Sequence, residues 1–271
     1  MKQRAMLCPR CRRIIGSEES HCSWCGTSRS NPLWVLFGVS GAGWMSAAIL
    51  TANLIFFGLS LLLSTKVDQS AGFLTPGQNS LLLLGASGTI PIDQYGRYWT
   101  VVSANYLHGG ILHLLFNLAA LRQLAPWVSH EYGSSRMFVI YTAGGCLGYL
   151  VSYVAGVPFT VGASAALCSL IGALLFYGKT RGGSYGTMVY RDVGGWALSI
   201  FVFGLIFPGI NNWAHGGGLL GGILLGWLLG YEERGNQRVL DHILAFLCMA
   251  VTVCVLLWAL FVARLERYEY C

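Results

Sequence analysis

Charged residues are scarce in this chain of 271 residues, because Asp, Glu, Lys and Arg together make up only 10% of it while 55% is hydrophobic. No charged side chain occurs between Arg136 and Lys179. The mean hydropathy of +0.58 lies outside the range of soluble domains. These values exclude an ordinary soluble globular protein and predict an all-α, polytopic membrane protein.

Acidic residues are especially rare in the apolar part of the chain. Between Asp93 and Glu232 the only acids are Glu131 and Asp192, and both fall in predicted loops on the cytoplasmic side. A serine protease triad needs a carboxylate beside its histidine. None is in reach of the apolar segments discussed below, so a nucleophile in them would have to work with a histidine alone.

Two other features are missing. The basic residues are scattered and form no single stripe, so nucleic-acid binding is not indicated. The first residues contain no apolar run of the kind found in signal peptides, so we expect no cleavable signal peptide.

Long apolar runs predict seven membrane-spanning helices, of which the fifth is the shortest. They lie at about 33–63, 104–126, 136–156, 160–178, 194–208, 212–230 and 243–263. With the N-terminus inside, thirteen of the 17 Lys and Arg residues fall on the cytoplasmic side. Because cytoplasmic loops are enriched in basic residues, we expect a multi-pass protein of the cell membrane with a cytoplasmic N-terminus.

The first 31 residues are polar and basic and contain two Cys-x-x-Cys pairs separated by ten residues. This spacing is typical of a zinc ribbon, in which four thiolates close a tetrahedral site. We therefore predict structural Zn²⁺ bound by Cys8, Cys11, Cys22 and Cys25. Two disulfides or unpaired thiols are the alternatives, and a protein partner for the ribbon in the cytoplasm is an open possibility.

Two apolar runs carry one reactive side chain each near their start. Ser164 follows Pro158 by six residues, and His215 lies about as far beyond Pro208. Both runs would enter the membrane from its outer face, so the two side chains would lie level, about 9 Å into their helices. Nearby glycines would let the helices approach closely. Ser164 and His215 are candidates for a nucleophile and its base, although a membrane serine usually bonds to its own backbone.

The apolar run at about 104–126 contributes His113 and Asn117, which lie four residues apart and hence on one helical face. An imidazole N–H and a carboxamide could both donate to a developing oxyanion. Alternatively, the two side chains could bond each other and a neighbouring helix. His108 is expected nearer the surface, holding the outer loop.

The loop before this run contains Leu81-Leu82-Leu83-Leu84-Gly85-Ala86, which is too short to span a membrane. Together with the aromatic residues near Trp99, it suggests a segment lying in the membrane interface. A folded outer loop is the alternative.

Taken in order, these motifs resemble the rhomboid family of intramembrane serine proteases over about residues 95–230. They are Trp99, His108-Gly-Gly-x-x-His113-x-x-x-Asn117, Gly162-x-Ser164 and Ala214-His215-x-x-Gly218-x-x-x-Gly222. The resemblance implies a six-helix core at 32–232 between the ribbon at 1–31 and a linker with a seventh helix at 233–271. It further implies Ser164 as nucleophile and His215 as base, with His113, Asn117 and Gly162 at the oxyanion or substrate site.

By this resemblance the chain is a serine endopeptidase that cuts transmembrane protein substrates in the bilayer, near the outer face and without a catalytic cofactor. It departs from the family pattern at Thr100, where an arginine is common, at Ala165 instead of glycine, and at Cys168 instead of an aromatic ring. A catalytically weak rhomboid-like binder or chaperone of membrane proteins is the alternative function. A transporter is disfavoured because the predicted spans hold almost no charge.

Overall fold

The computed structural model describes residues 5–7, 14–16, 43–68, 72–207, 209–231 and 238–266. Within these ranges the chain is almost entirely helical, as its apolar runs predict. The seven long helices are α1 Trp44–Val67, α2 Ile111–Tyr132, α3 Ser134–Val154, α4 Ser164–Arg181, α5 Gly183–Ile206, α6 Asn212–Leu229 and α7 Val239–Glu266. Two short strands, β1 Ala5–Leu7 and β2 Ile14–Gly16, form an antiparallel pair.

Five of the helices in the described residues, α1, α2, α3, α5 and α7, are long and apolar enough to cross a membrane. Helix α5 begins at Gly183, well before the predicted fifth run, and with 24 residues it is long enough to cross a membrane. The remaining long helices, α4 and α6, have 18 residues each. They carry Ser164 and His215, and their glycine and polar residues lower their hydropathy. The count of six core helices plus one stays a prediction.

The centre of the bundle is formed by α3, α4 and α6, which pack on one another. Helix α3 is the most enclosed of the five apolar spans, with 61% of its apolar window buried in the protein. Helix α5 packs mainly on α4 and has only 11% of its window buried. We call the end of the bundle at which α2, α4 and α6 begin the site end.

The loop between α1 and α2 is folded against the protein at the site end. Its short helix at Gln78–Leu83 is followed by further turns at Ile90–Gln94, Thr100–Ser103 and Ala104–Tyr106. Leu81, Leu83 and Leu84 are 0–3% exposed and belong to the main hydrophobic core. The leucines of this run therefore pack on the protein, and the position of the loop in the membrane interface stays a prediction.

Helix α7 is joined to the bundle by an ion pair near each end. Arg136 and Asp241, whose side chains are 1% and 5% exposed, pair at 2.8 Å near the start of α7. Arg97 of the loop between α1 and α2 pairs with Glu266 at the end of α7 and also donates to the Leu82 carbonyl at 2.8 Å. Arg97 thus attaches this loop to the rest of the protein. Position 100, where the family resemblance predicts an arginine, is a threonine.

The predicted zinc ligands Cys8, Cys11, Cys22 and Cys25 lie outside the described residues. Strands β1 and β2 stand on either side of the first Cys-x-x-Cys pair in the sequence. In the parts of the chain that are described, no group of three or more His, Cys, Asp or Glu side chains could hold a metal ion.

Candidate active site

The structure brings Ser164 and His215 into direct contact. The Nε2 atom of His215 lies 2.9 Å from the Oγ atom of Ser164, which is a hydrogen-bonding distance. Ser164 is the first residue of α4, so the helix begins at the serine itself and not before it as the sequence suggested. His215 lies in the first turn of α6 and is 5% exposed. The chain therefore places a hydroxyl and an imidazole together at the site end.

The second ring nitrogen of His215 faces no hydrogen-bonding group in the described residues. Among the described residues, nothing hydrogen-bonds to its buried Nδ1 atom. This agrees with the absence of a nearby acid in the sequence. In the described part of the chain, Ser164 is thus the side chain that hydrogen-bonds to the His215 ring.

Glycines explain why the three central helices come so close. A Cβ atom added at Gly148 of α3 would lie 2.6 Å from the carbonyl oxygen of Ala214, the residue before His215. On α6, a Cβ at Gly218 would collide with the carbonyl oxygen of Ala165, the residue after Ser164. Small residues permit such backbone contact between membrane helices. The glycines on α3 and α6 thus set the distance between the two reactive side chains.

The segment before Ser164 is fixed by hydrogen bonds to its backbone. The Gly162 N–H donates to the Ala104 carbonyl at 2.9 Å, and the Tyr149 hydroxyl donates to the Gly162 carbonyl at 2.6 Å. Gly162 has a φ of +136°, which L side chains rarely adopt. A Cβ there would lie 2.7 Å from both Cε1 and Nε2 of His113. The ring edge of His113 therefore rests against the backbone two residues before the serine.

His113 and Asn117 lie one turn apart on α2, and the His113 ring borders Gly162, two residues before the serine. The His113 ring packs edge-on against the ring of His108, with ring centroids 5.0 Å apart. His108, which belongs to the loop between α1 and α2, therefore supports His113. Asn117 is 6% exposed, and its Nδ2 atom has no hydrogen-bond partner within the described part of the chain. A buried amide donor without an acceptor is uncommon and calls for an explanation.

Two departures from the family pattern have clear surroundings. Cys168 on α4 is 2% exposed, and no ring contact of His215 occurs within the described part of the chain. Ala165 is 1% exposed, and its backbone carbonyl faces Gly218. Both positions pack tightly without a large side chain, so the orientation of His215 must come from other residues.

Sequence reasoning missed Asn211, which precedes α6. Its Oδ1 atom accepts from the Ala214 N–H at 3.1 Å, and its amide donates to Ser152 at 2.6 Å and to Thr160 at 3.0 Å. An asparagine directly before an apolar helical run is a recognised N-cap signal. The sequence alone could therefore have indicated the cap. It could not indicate the partners of the Asn211 amide, because they lie on α3 and in the segment before Ser164.

Comparison with known proteins gives matches over the same region. The rhomboid domain matches residues 95–232, which contain all five residues predicted for the site. "Rhomboid protease GluP" of Bacillus subtilis (strain 168) is 32% identical over 200 residues, covering 72% of this chain and 38% of that protein. "RHOMBOID-like protein 5" of Arabidopsis thaliana is 27% identical over 256 residues, covering 79% of this chain and 82% of that protein.

A third relative comes from a distant lineage. "Rhomboid-like protease 5" of Toxoplasma gondii is 33% identical over 170 residues, which cover 58% of this chain and 19% of that protein. The chain thus spans less than two thirds of the length of two of these three relatives.

Proposed function

Because the rhomboid domain covers about half of its length, the chain belongs to the rhomboid family, and we propose that it is an intramembrane serine endopeptidase that uses a Ser164–His215 dyad. The observation that carries this proposal is the 2.9 Å contact between Ser164 Oγ and His215 Nε2, in a bundle with five described helices that are long and apolar enough to cross a membrane. The names of two matched relatives, both called rhomboid proteases or rhomboid-like proteases, support the same activity.

The proposed reaction proceeds through a covalent acyl-enzyme. His215 Nε2 takes the proton of Ser164 Oγ as the oxygen attacks the carbonyl carbon of the scissile peptide bond. The same imidazole then gives the proton to the leaving amine nitrogen as the C–N bond breaks. A water molecule, deprotonated by His215, then attacks the ester carbonyl, and the imidazolium returns this proton to Ser164 Oγ as the ester C–O bond breaks and the carboxylic acid product leaves. No carboxylate takes part in this scheme, because in the described residues nothing hydrogen-bonds to the second ring nitrogen of His215.

The negative charge that develops on the carbonyl oxygen needs fixed donors. We assign this role to the amide of Asn117 and the ring of His113, with Gly162 leaving room beside the ring. The buried Nδ2 atom of Asn117 has no acceptor among the described residues, which is what a donor waiting for substrate would show. Helix α4 begins at Ser164, so its first N–H groups also have no acceptor within the helix.

We place the site end near the outer face of the membrane. The support is the distribution of basic residues, thirteen of 17 of which fall on the opposite side. The proposed substrates are transmembrane proteins that are cut near the outer end of their spanning helix. In this orientation the N-terminal region lies in the cytoplasm of a multi-pass protein of the cell membrane.

The test is cleavage of a single-span reporter protein by purified wild type and by Ser164→Ala, with the cut mapped by mass spectrometry. We expect cleavage by the wild type only, near the outer end of the reporter span. Cleavage by Ser164→Ala would refute the assignment, and a cut at the cytoplasmic end would refute the orientation. Reporter binding without cleavage by the wild type would favour the binder or chaperone function.

We also propose that Cys8, Cys11, Cys22 and Cys25 hold one structural Zn²⁺ that takes no part in catalysis. A closed shell of four thiolates leaves no position for a reacting water. The test is elemental analysis of the purified protein, together with reporter cleavage by a chain that starts near Asn31. We expect one zinc per chain and full cleavage by the shortened protein. Protein without zinc, or a folded but inactive shortened protein, would contradict the proposal.

A further inference from the structure

We propose that Asn211 is a positioning residue that sets the geometry of the dyad by joining the start of α6 to α3 and to the segment before Ser164. This inference rests on the proposed function, and it answers how His215 is oriented in a chain that has Cys168 in place of a stacking ring. The side chain of Asn211 makes three hydrogen bonds, each to a different part of the site.

The first set of contacts fixes the turn of α6 that carries His215. The side-chain oxygen of Asn211 accepts from the Ala214 N–H at 3.1 Å, and its main-chain oxygen accepts from the His215 N–H at 3.2 Å. The N–H groups of two consecutive residues, one of them the histidine, are thereby held by one residue. Helices α1 to α5 begin without a side-chain cap among the described residues, so this attachment distinguishes α6.

The second set of contacts points away from α6. Because Oδ1 accepts from a backbone N–H, which can only donate, the amide nitrogen must face Ser152 and Thr160. Ser152 lies on α3 and is fully buried, and its Oγ atom is 2.6 Å from the Asn211 amide. The Oγ1 atom of Thr160 is 3.0 Å away. The side chain of Asn211 therefore links α6, which carries His215, to α3 and to the segment before Ser164.

Thr160 connects this network to the serine. It lies four residues before Ser164, and its backbone pairs in both directions with Ser87 of the outer loop, at 2.8 and 3.0 Å. The segment is therefore fixed on one side by the outer loop and on the other by Asn211. Asn211 contacts both the segment that leads into Ser164 and the first turn of α6, which carries His215. It therefore sets the position of one reactive side chain relative to the other.

The experiment compares three forms of the full-length protein. Asn211→Ala removes all three side-chain bonds, whereas Asn211→Asp keeps the acceptor for Ala214 and removes both donors. We expect Asn211→Ala to lower kcat about 10- to 100-fold with little change in KM, because a small misplacement of reacting groups is costly in rate but not in substrate binding. Asn211→Asp should fall between Asn211→Ala and the wild type.

A fluorophosphonate probe separates positioning from folding. Its end-point counts molecules with an intact site, and its rate reports how reactive Ser164 is. For Asn211→Ala we expect a slower rate with an undiminished end-point. An end-point that falls in parallel with activity would mean a purely structural role, and unchanged kcat would also overturn the inference. Ser199→Ala, which removes an exposed hydroxyl of α5, should behave as wild type.

Parallel measurements on wild type and Ser164→Ala keep the two proposals apart. If the wild type fails to cleave the reporter, or Ser164→Ala cleaves it, the proposed function fails. If the wild type cleaves through Ser164 but Asn211→Ala cleaves equally fast, only the positioning role fails.

Discussion

Replacing Gly162 by alanine should damage the site through one identifiable contact. The new methyl group would lie 2.7 Å from Cε1 and Nε2 of His113, where ordinary contacts are 3.4–4 Å. The ring of His113 must therefore retreat by roughly 1 Å, a displacement that can cost about 100-fold in rate when it affects a catalytic group. The backbone adds a second cost, because a side chain at a φ of +136° is strained by about 1–3 kcal/mol.

Two comparisons separate the contact from the strain. Gly156 also has a positive φ, +80°, but an added Cβ there would meet no atom within 4 Å. Gly156→Ala should therefore lose some thermal stability in detergent and retain its reporter cleavage. In a His113→Ala background the methyl group of Gly162→Ala no longer meets a ring, so it should cost less stability there than in the wild type.

The assays are the kcat for reporter cleavage and the thermal unfolding midpoint of each variant. We expect Gly162→Ala to lower kcat about 100-fold in the wild-type background. The reasoning would be refuted if kcat stayed within about twofold of wild type, or if Gly162→Ala cost the same stability with and without the His113 ring.

Three further predictions concern the dyad, the oxyanion site and the ion pair of Arg136 and Asp241 near the start of α7. The double variant of Ser164→Ala and His215→Ala should cleave the reporter no more slowly than either single variant, because groups that act as a unit are not additive; a much slower double variant would contradict this. Asn117→Ala should lower turnover by about 10²- to 10³-fold while the serine still reacts with a fluorophosphonate, and unchanged turnover would remove its role. Arg136→Met should lower the free energy of unfolding by about 3–5 kcal/mol, because the buried Asp241 carboxylate loses its ion pair with Arg136 while it keeps the hydrogen bond from the Arg238 N–H. A second change, Asp241→Asn, should recover much of that loss in thermal unfolding, and no recovery would mean that the ion pair is not the cause.

The sequence predicted those parts of the molecule that follow from local patterns. Apolar runs of helical length predict the membrane helices, and the rhomboid match agrees with the motifs that suggested the family. Ser164 and His215 were paired because each lies near the start of such a run among glycines. The structure places them within hydrogen-bonding distance. Their catalytic role, and that of His113 and Asn117, stays a prediction.

The parts that could not be predicted depend on contacts between distant segments. Arg97 and Glu266 are 169 residues apart, and neither has a neighbour in sequence that identifies its partner. The apolar pattern predicts a later start for α5 than the structure shows, because Arg191 and Asp192 interrupt the pattern. Both side chains are exposed, and the helix continues through them. The burial of the leucines at 81–84 could not be predicted, because an apolar run alone does not show whether protein or lipid covers it.

The central claim is that His215 activates Ser164, and covalent labelling tests it most directly. Wild-type protein in detergent is treated with a fluorophosphonate probe and digested, and the modified peptide is identified by mass spectrometry. We predict a single adduct on Ser164, and only a trace of it in His215→Ala under the same conditions. An adduct on another residue, or labelling of His215→Ala at the rate of the wild type, would contradict the account.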